Sequence, residues 1–232
     1  MFRKGEQIIL WLARRKVSGS ILGFLFERWA SVLPLRKRAE NDFALCLYHP
    51  VLVAPNHLLA IPKKRLATIF DLFDDHNASY TEGLFQCVEQ ALANVQVRFK
   101  VVSNFGARQQ VKQVHFHVLP AGTDAAVVET VPIGLKLKRE WKELPAGRQE
   151  LRGYWGAGSN NFGFHKNQLL ELIKTMLSVE QTALKNAQGF SMIVEVKRDV
   201  CGVLQWANGV TFVLDLRTVP PPAARPIRGR KG

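Results

Sequence analysis

The residues best suited to chemistry in this sequence are two histidines, His115 and His117, within one alternating stretch. Polar and apolar residues alternate from residue 113 to residue 118, which is the period of a half-buried β-strand. Gln113, His115 and His117 would therefore point to one face, and the apolar residues between them into a core. Residues at positions i and i+2 of a strand lie about 6–7 Å apart, so both imidazoles could act on one small group.

Three other interpretations of these histidines stay open on the residues alone. Two histidines on a strand can form a solvated polar face. A metal site would use His115, His117 and His57 as three nitrogen ligands, with open positions for catalysis. Nucleic-acid binding would draw on the net charge of +13, but the basic residues are scattered and the sequence shows no cluster of stacking aromatic residues.

Two stretches of the sequence carry a family resemblance. The first runs from Asn104 to Pro120 and ends in QVHFHVLP. It resembles the His-φ-His-φ-His-φ-φ motif (φ, apolar) of the histidine-triad (HIT) superfamily of nucleotide hydrolases and transferases. The second runs from Leu47 to Lys64 and is similar to the Pro-x-His-x-x-x-x-Pro-Lys pattern of the same superfamily. The resemblance covers residues 40–122 and implies a metal-free site with no cofactor.

The resemblance assigns a role to each polar residue of the two stretches. His115 would attack the α-phosphorus of a purine nucleotide or nucleotide conjugate and form a nucleotidyl-histidine intermediate, which water then cleaves. A backbone carbonyl would orient the second ring nitrogen of His115. His117 would donate to a phosphate oxygen, and His57 would line the same pocket. Asn104 and Gln110 stand where the family contacts the phosphates, and Gln113 and His49 complete the nucleotide-binding set that the resemblance implies.

The sequence also departs from the family pattern at two site positions. Gln113 replaces the first histidine of the triad, where an amide can still support its neighbours through hydrogen bonds. His49 replaces the Asp or Asn that contacts the ribose hydroxyls, and an imidazole cannot accept from two hydroxyls as a carboxylate can. These departures favour, as the alternative to an enzyme, a catalytically inactive nucleotide-binding or scaffold protein.

The predicted fold is α+β: a HIT-like antiparallel sheet with helices packed on it, formed by a catalytic unit at residues 36–122. The apolar segments and turn signals predict an ordered set of elements. The expected strands are 43–48, 57–61, 97–103 and 113–120, and the expected helices are 65–73 and 80–94.

Residues 123–216 are interpreted as a degenerate HIT-like repeat. Residues 179–186 echo residues 88–94, and a predicted strand follows each of them. Aligning the two copies sets Asn208 against Gln113, and it sets apolar residues, Val210 and Phe212, against His115 and His117. HIT domains usually pair into dimers, so the resemblance implies that a fused second copy would form an intrachain pseudo-dimer with one active site. Residues 144–150 read as a small insertion between elements.

The two ends of the chain have a different composition from the centre. Residues 1–35 predict a helical extension, either packed on the domain or lying in a membrane interface with its basic residues toward anionic head groups. Residues 217–232 form a basic, Pro-rich tail that we expect to be disordered. A pI near 10 predicts anionic partners, including weak association with an anionic membrane surface.

Cysteine usage indicates the compartment. The three cysteines are widely spaced, with no CxxC pair, so they predict reduced core thiols in a cytoplasmic protein. The protein is therefore expected in the cytoplasm, with a peripheral membrane location as a further option.

Overall fold

The computed structural model describes residues 36–49, 54–95, 97–109, 111–121, 137–145, 148–155, 162–199, 201 and 203–215. The predicted helical extension, the basic tail and Gln110 lie outside these residues. The strands are β1 (Lys37–Glu40), β2 (Ala44–Tyr48), β3 (Leu58–Pro62), β4 (Phe99–Gly106), β5 (Phe116–Pro120), β6 (Leu137–Leu144), β7 (Arg148–Trp155), β8 (Phe162–Phe164), β9 (Gly189–Arg198) and β10 (Leu204–Asp215). The helices are α1 (Ile69–Leu72), α2 (Ala78–Ala91), α3 (Lys166–Val179) and α4 (Gln181–Asn186), with a 3₁₀ turn at Asp75–Asn77.

These strands form one sheet in the order β1-β2-β3-β5-β4-β9-β10-β7-β6, with β8 also paired to β10. Neighbouring strands pair antiparallel throughout. The buried side chains of the helices and of one side of the sheet belong to a single hydrophobic core. The predicted α+β class, with an antiparallel sheet and packed helices, is confirmed.

The sheet divides at the β4–β9 pairing into an amino-terminal unit (residues 36–121) and a carboxy-terminal unit (residues 137–215). In the amino-terminal unit, the strand order outward from that pairing is β4, β5, β3 and β2. Strand β4 follows the long helix α2, β5 is the last strand of the unit, and β3 and β2 precede α2. The carboxy-terminal unit repeats this order with β9, β10, β7 and β6, and β7 and β8 share the place beside β10. Common descent of the two units stays a prediction.

The junction between the two units is an eight-pair ladder, from Phe99–Val196 to Gly106–Gly189. Trp206 of β10 is fully buried on the helix side of the junction. Its ring centroid lies 5.3 Å from that of Phe85 in α2, and its indole Nε1 donates to Glu89 at 2.8 Å. The two units therefore share both backbone hydrogen bonds and core packing.

Two sequence expectations differ from the structure, and strand β6 was not predicted. The polar, basic sequence of residues 35–41 indicates a connection into the domain, but residues 37–40 form β1, an edge strand whose Lys37 and Glu40 pair at 2.8 Å. Residues 144–150 were interpreted as an insertion, but Leu144 ends β6 and Arg148 begins β7, and these two strands pair as neighbours in the sheet. The charged sequence of β6 hides that strand from pattern analysis, since an edge strand needs little apolar alternation.

The other differences are local. The histidine strand begins only at Phe116, so His115 and Gln113 precede it. Cys46 and Cys87 are buried free thiols, as expected for core cysteines, whereas Cys201 is exposed. Among the described residues, no helix combines the length and apolar character needed to cross a bilayer.

Candidate active site

Four histidines meet on three neighbouring strands. His49 follows β2 and His57 precedes β3, while His115 directly precedes β5 and His117 is its second residue. Because β3 pairs with β2 on one side and with β5 on the other, the two sequence stretches become adjacent. The ring centroids of His57 and His117 are 5.3 Å apart, and those of His115 and His117 are 5.1 Å apart. The predicted grouping of His57, His115 and His117 is therefore present in the structure.

The orientation of His115 is set by backbone. Its Nδ1 lies 2.8 Å from the carbonyl oxygen of Gln113. A carbonyl can only accept, so Nδ1 carries the proton and Nε2 keeps a free lone pair. The Ser103 hydroxyl donates to the His115 carbonyl at 2.7 Å and holds this backbone in place. Burial lowers the pKa of His115, which favours the neutral, nucleophilic ring near pH 7.

The tautomers of His57 and His117 follow from their contact. His57 Nε2 lies 3.1 Å from His117 Nδ1, so one of these nitrogens donates to the other. His57 is 2% exposed, and its Nδ1 finds no hydrogen-bond partner among the described residues. A buried lone pair without a partner is tolerated better than a buried N–H without one. His57 is therefore the donor, and His117 keeps its own proton on Nε2, where a phosphate oxygen could accept it.

Both rings are held neutral by their surroundings. Burial, and to a smaller extent the nearby His49 ring, lowers the pKa of His57 to about 4. Burial also lowers the pKa of His117 to about 3, with smaller contributions from the rings of His115, His57 and His49. An imidazolium is hydrated less well here than in water, so protonation of either ring opposes the folded state.

This has a consequence for stability. The pKa of a histidine in the unfolded chain is about 6.5. As the pH falls below that value, these two histidines bind protons in the unfolded chain but stay neutral in the folded chain. Each of the two histidines should then cost about 2 kcal/mol of unfolding free energy at about pH 5, relative to pH 7. Urea unfolding at a series of pH values gives the unfolding free energy as a function of pH. Between pH 7 and pH 5 this free energy should fall less steeply for His57→Asn than for the wild type. The exposed His76, changed to Asn, is the matched control and should keep the wild-type slope; equal slopes for all three proteins would contradict the prediction.

His49 is stacked on His57. The two rings are almost parallel, at 6°, with centroids 4.1 Å apart, and the His49 centroid lies 5.5 Å from that of His117. Nitrogens of these three histidines lie within 4.8 Å of one another, a different trio from the His57, His115 and His117 considered for a metal. Lone pairs in two parallel planes cannot converge on one ion unless a ring rotates. The observed stack therefore favours a packed imidazole cluster over a formed metal site.

Gln113 acts on the backbone around it. It is 2% exposed, and its Oε1 accepts from the Leu66 N–H at 3.2 Å. Its Nε2 donates to the carbonyls of Lys64 at 2.9 Å and Pro62 at 3.4 Å. The side chain thus ties the segment that ends β3 to the segment that begins β5. These contacts favour a positioning role for Gln113 over the direct nucleotide contact expected from the sequence.

Replacement of Gln113 by leucine should be costly. The change keeps much of the volume but leaves the buried Leu66 N–H and the Lys64 carbonyl without their partner. We expect a loss of about 2–4 kcal/mol in the free energy of unfolding, measured with urea. The exposed Gln86 of α2 gives the control, since Gln86→Leu should change stability by less than about 0.5 kcal/mol. Comparable losses for the two variants would show that the amide contacts of Gln113 carry no special weight.

Asn104 lies on β4, beside the histidines. Val102 pairs with His117, and continuing this register places Asn104 opposite His115. The Oδ1 of Asn104 accepts from the hydroxyl of Ser191 in β9 at 2.6 Å. Sequence analysis missed both Ser191 and Ser103; their hydroxyls sit within ordinary strand sequences, and only the folded sheet brings them to the site.

Comparison with known proteins adds the family. Residues 35–124 match the family model of the HIT domain. Residues 35–124 are therefore a HIT domain, the domain of the histidine-triad superfamily, as the two motifs predict.

Two solved structures are also similar to the chain. A histidine triad protein from Clostridium difficile is 23% identical over 46% of this chain and 94% of that one, with a TM-score of 0.38. A hypothetical protein from Leishmania major is 19% identical over 70% of this chain and 96% of that one, also with a TM-score of 0.38. The assignment of the HIT domain rests on the family match and not on these two likenesses.

Proposed function

We propose that this HIT domain is an enzyme that hydrolyses or transfers a nucleotidyl group at the α-phosphate, through a nucleotidyl-His115 intermediate. One observation carries the proposal. The 2.8 Å contact between His115 Nδ1 and the Gln113 carbonyl leaves Nε2 as a free nucleophile in a half-buried position. The carbonyl also stabilises the positive charge that the ring gains on attack.

The chemistry would run in two steps. His115 Nε2 forms a bond to the α-phosphorus, and the bond between phosphorus and the leaving group breaks. The anionic phosphate favours the protonated form of His117, so in this proposal His117 takes up a proton with the substrate and passes it to the leaving group. Water, or another acceptor, then attacks phosphorus and gives its proton to His117, which is neutral again after the first step. The nitrogen–phosphorus bond breaks and returns its electron pair to His115.

The departures from the family pattern bear on the alternative, a catalytically inactive nucleotide-binding or scaffold protein. Gln113 provides the carbonyl for His115 through its backbone, which does not depend on its side chain. This favours the enzyme. His49 is committed to the stack on His57 and offers no carboxylate to a ribose, which favours loose recognition of the sugar. Candidate substrates are nucleoside phosphoramidates, dinucleoside polyphosphates and adenylylated conjugates.

A turnover screen tests the proposal. Wild-type protein and His115→Asn would be incubated with members of the three substrate classes, and the products detected by mass spectrometry. We expect a nucleoside monophosphate from at least one class with the wild type only. Binding of nucleotides without turnover of any compound would favour the inactive alternative.

Two further proposals concern the compartment and the binding partners of the protein. We infer a cytoplasmic protein in which the carboxy-terminal unit takes the place of a dimer partner, consistent with the matching strand order of the two units. We also infer weak, salt-sensitive binding to anionic lipid, based on the net charge of +13. Co-sedimentation with anionic liposomes tests the second idea, which fails if the intact protein stays in the supernatant at low salt.

A further inference from the structure

A polar network crosses the junction between the two units beside the active site. Asn104 and Arg108 come from the amino-terminal unit, and Ser191 and Asp215 from the carboxy-terminal unit. Arg108 donates from Nη1 to the Ser191 hydroxyl at 2.8 Å, and Ser191 donates to Asn104 Oδ1 at 2.6 Å. Arg108 also binds both carboxylate oxygens of Asp215, at 2.5 Å each. The network links the carboxyl end of β10 to a residue expected to face phosphate.

The charges of this network are satisfied within it. The paired geometry of Arg108 and Asp215 is the strong, two-bond form of a guanidinium–carboxylate contact. Arg108 holds the pKa of Asp215 below its usual range, so the pair stays ionised at neutral pH. Arg108 is therefore engaged by Asp215 and Ser191, and its contacts suit it to holding a hydroxyl in place more than to gripping a substrate.

The hydroxyl of Ser191 has only one proton to give. Because it accepts from Arg108 Nη1, that proton goes to Asn104 Oδ1. The oxygen and nitrogen of a carboxamide lie on opposite sides of its carbon. Fixing Oδ1 on Ser191 therefore fixes which way the Nδ2 hydrogens of Asn104 point. If the amide flipped, Asn104 Oδ1 would face the phosphate oxygen, and the two oxygens would repel each other.

The backbone after Asn104 is held by the same unit. The N–H of Ala107 donates to the Gln188 carbonyl at 3.0 Å, and the N–H of Gln188 donates to the Asp215 carbonyl at 2.9 Å. Gly106 has a φ of +61°, and a Cβ there would lie 2.7 Å from the Gln188 oxygen. The close approach of the two backbone segments at this turn thus requires glycine at position 106.

We infer that Ser191 is a positioning residue for phosphate recognition: held by the Arg108–Asp215 pair, it sets the amide of Asn104 as a hydrogen-bond donor. The carboxy-terminal unit then contributes to the active site although it carries none of the four clustered histidines. This inference rests on the proposed function, because it assigns a ligand class, the substrate phosphate, to Asn104.

A double-mutant cycle tests the inference. Adenosine 5′-phosphoramidate turnover and AMP affinity would be measured for the wild type, Ser191→Ala, Asn104→Ala and the double variant. We expect kcat/KM to fall about 10-fold for Ser191→Ala and about 100-fold for Asn104→Ala. The double variant should match Asn104→Ala alone, since Ser191 acts through Asn104. AMP affinity should follow the same pattern. Thr211→Ala, which removes a half-buried hydroxyl from the neighbouring strand β10, is the control and should match the wild type.

The outcomes separate this inference from the proposed function. Losses that multiply in the double variant, or a Ser191→Ala protein with wild-type kcat/KM and AMP affinity, would overturn the role of Ser191 while the enzyme stands. A wild type that turns over no member of the three substrate classes and does not bind AMP would overturn both. Asp215→Asn removes the charge that holds Arg108 but keeps the shape, so it serves as the second variant if Ser191→Ala does not fold; its kcat/KM should fall about 5-fold, and an unchanged value would count against the network.

Discussion

Replacing His115 with asparagine should lower nucleotidyl turnover by at least about 10³-fold, because the substitution removes the nucleophile itself. An asparagine amide keeps a similar size and polarity, so the fold should be retained. Its nitrogen has no free lone pair and cannot form the covalent intermediate. Initial rates on the best substrate of the screen, together with thermal unfolding to confirm the fold, measure the effect.

A matched control separates loss of the nucleophile from loss of a histidine. His165 is exposed, at the start of α3, away from the histidine cluster in sequence and in strand order. His165→Asn should keep the wild-type rate. The assignment of His115 would be wrong if His115→Asn retained more than about a tenth of the activity while folding normally.

Removing the carboxy-terminal unit should abolish the monomeric fold. A chain that ends at residue 122 loses the partner of β4 along eight residue pairs, and it exposes the core around Phe85 that Trp206 covers. An open strand edge of this length is a ready template for another chain. We expect the shortened protein to be insoluble or to pair with a second copy, which light scattering and analytical ultracentrifugation would show.

A second truncation provides the control. A chain that ends at Asp215 keeps every described strand and should remain folded and monomeric at the same concentration. A soluble, cooperatively unfolding monomer of residues 1–122 would contradict the account of the junction. It would also remove the physical basis for treating the second unit as an internal partner.

The histidines could be placed from the sequence because their positions follow short-range rules. Alternation put His115 and His117 on one face, and the two motifs put His57 on a neighbouring strand. The side chain of Gln113 could not be placed in this way. Whether an amide faces a ligand or the backbone depends on the path of residues 62–66, which only the folded chain reveals.

Long-range contacts were the part that the sequence could not supply. Ser191 and Asn104 are separated by 87 residues, and no local pattern marks a serine in a strand as a partner of a distant amide. The pairing of β4 with β9 follows from the complete sheet order. Strands β6 and β7 were missed for a different reason, since the charged residues that they carry leave no clear apolar period.

The departure at His49 has a physical reading only after folding. In the sequence, His49 indicates only that the Asp or Asn contact to the ribose is lost. In the structure, it stacks on His57 and helps to lower the pKa of His57 and His117. His49 is therefore part of the surroundings that hold the rings of His57 and His117 neutral.

The central claim is that a nucleotidyl group becomes bonded to His115, and direct detection of that adduct tests it most closely. Wild-type protein would be mixed with adenosine 5′-phosphoramidate and quenched in alkali, because bonds between phosphorus and nitrogen are labile in acid. Intact-protein mass spectrometry and peptide mapping would follow. The account predicts an adenylyl adduct on the peptide that contains His115, absent from His115→Asn. Turnover with an adduct on another residue, or with no adduct at any quench time, would contradict it.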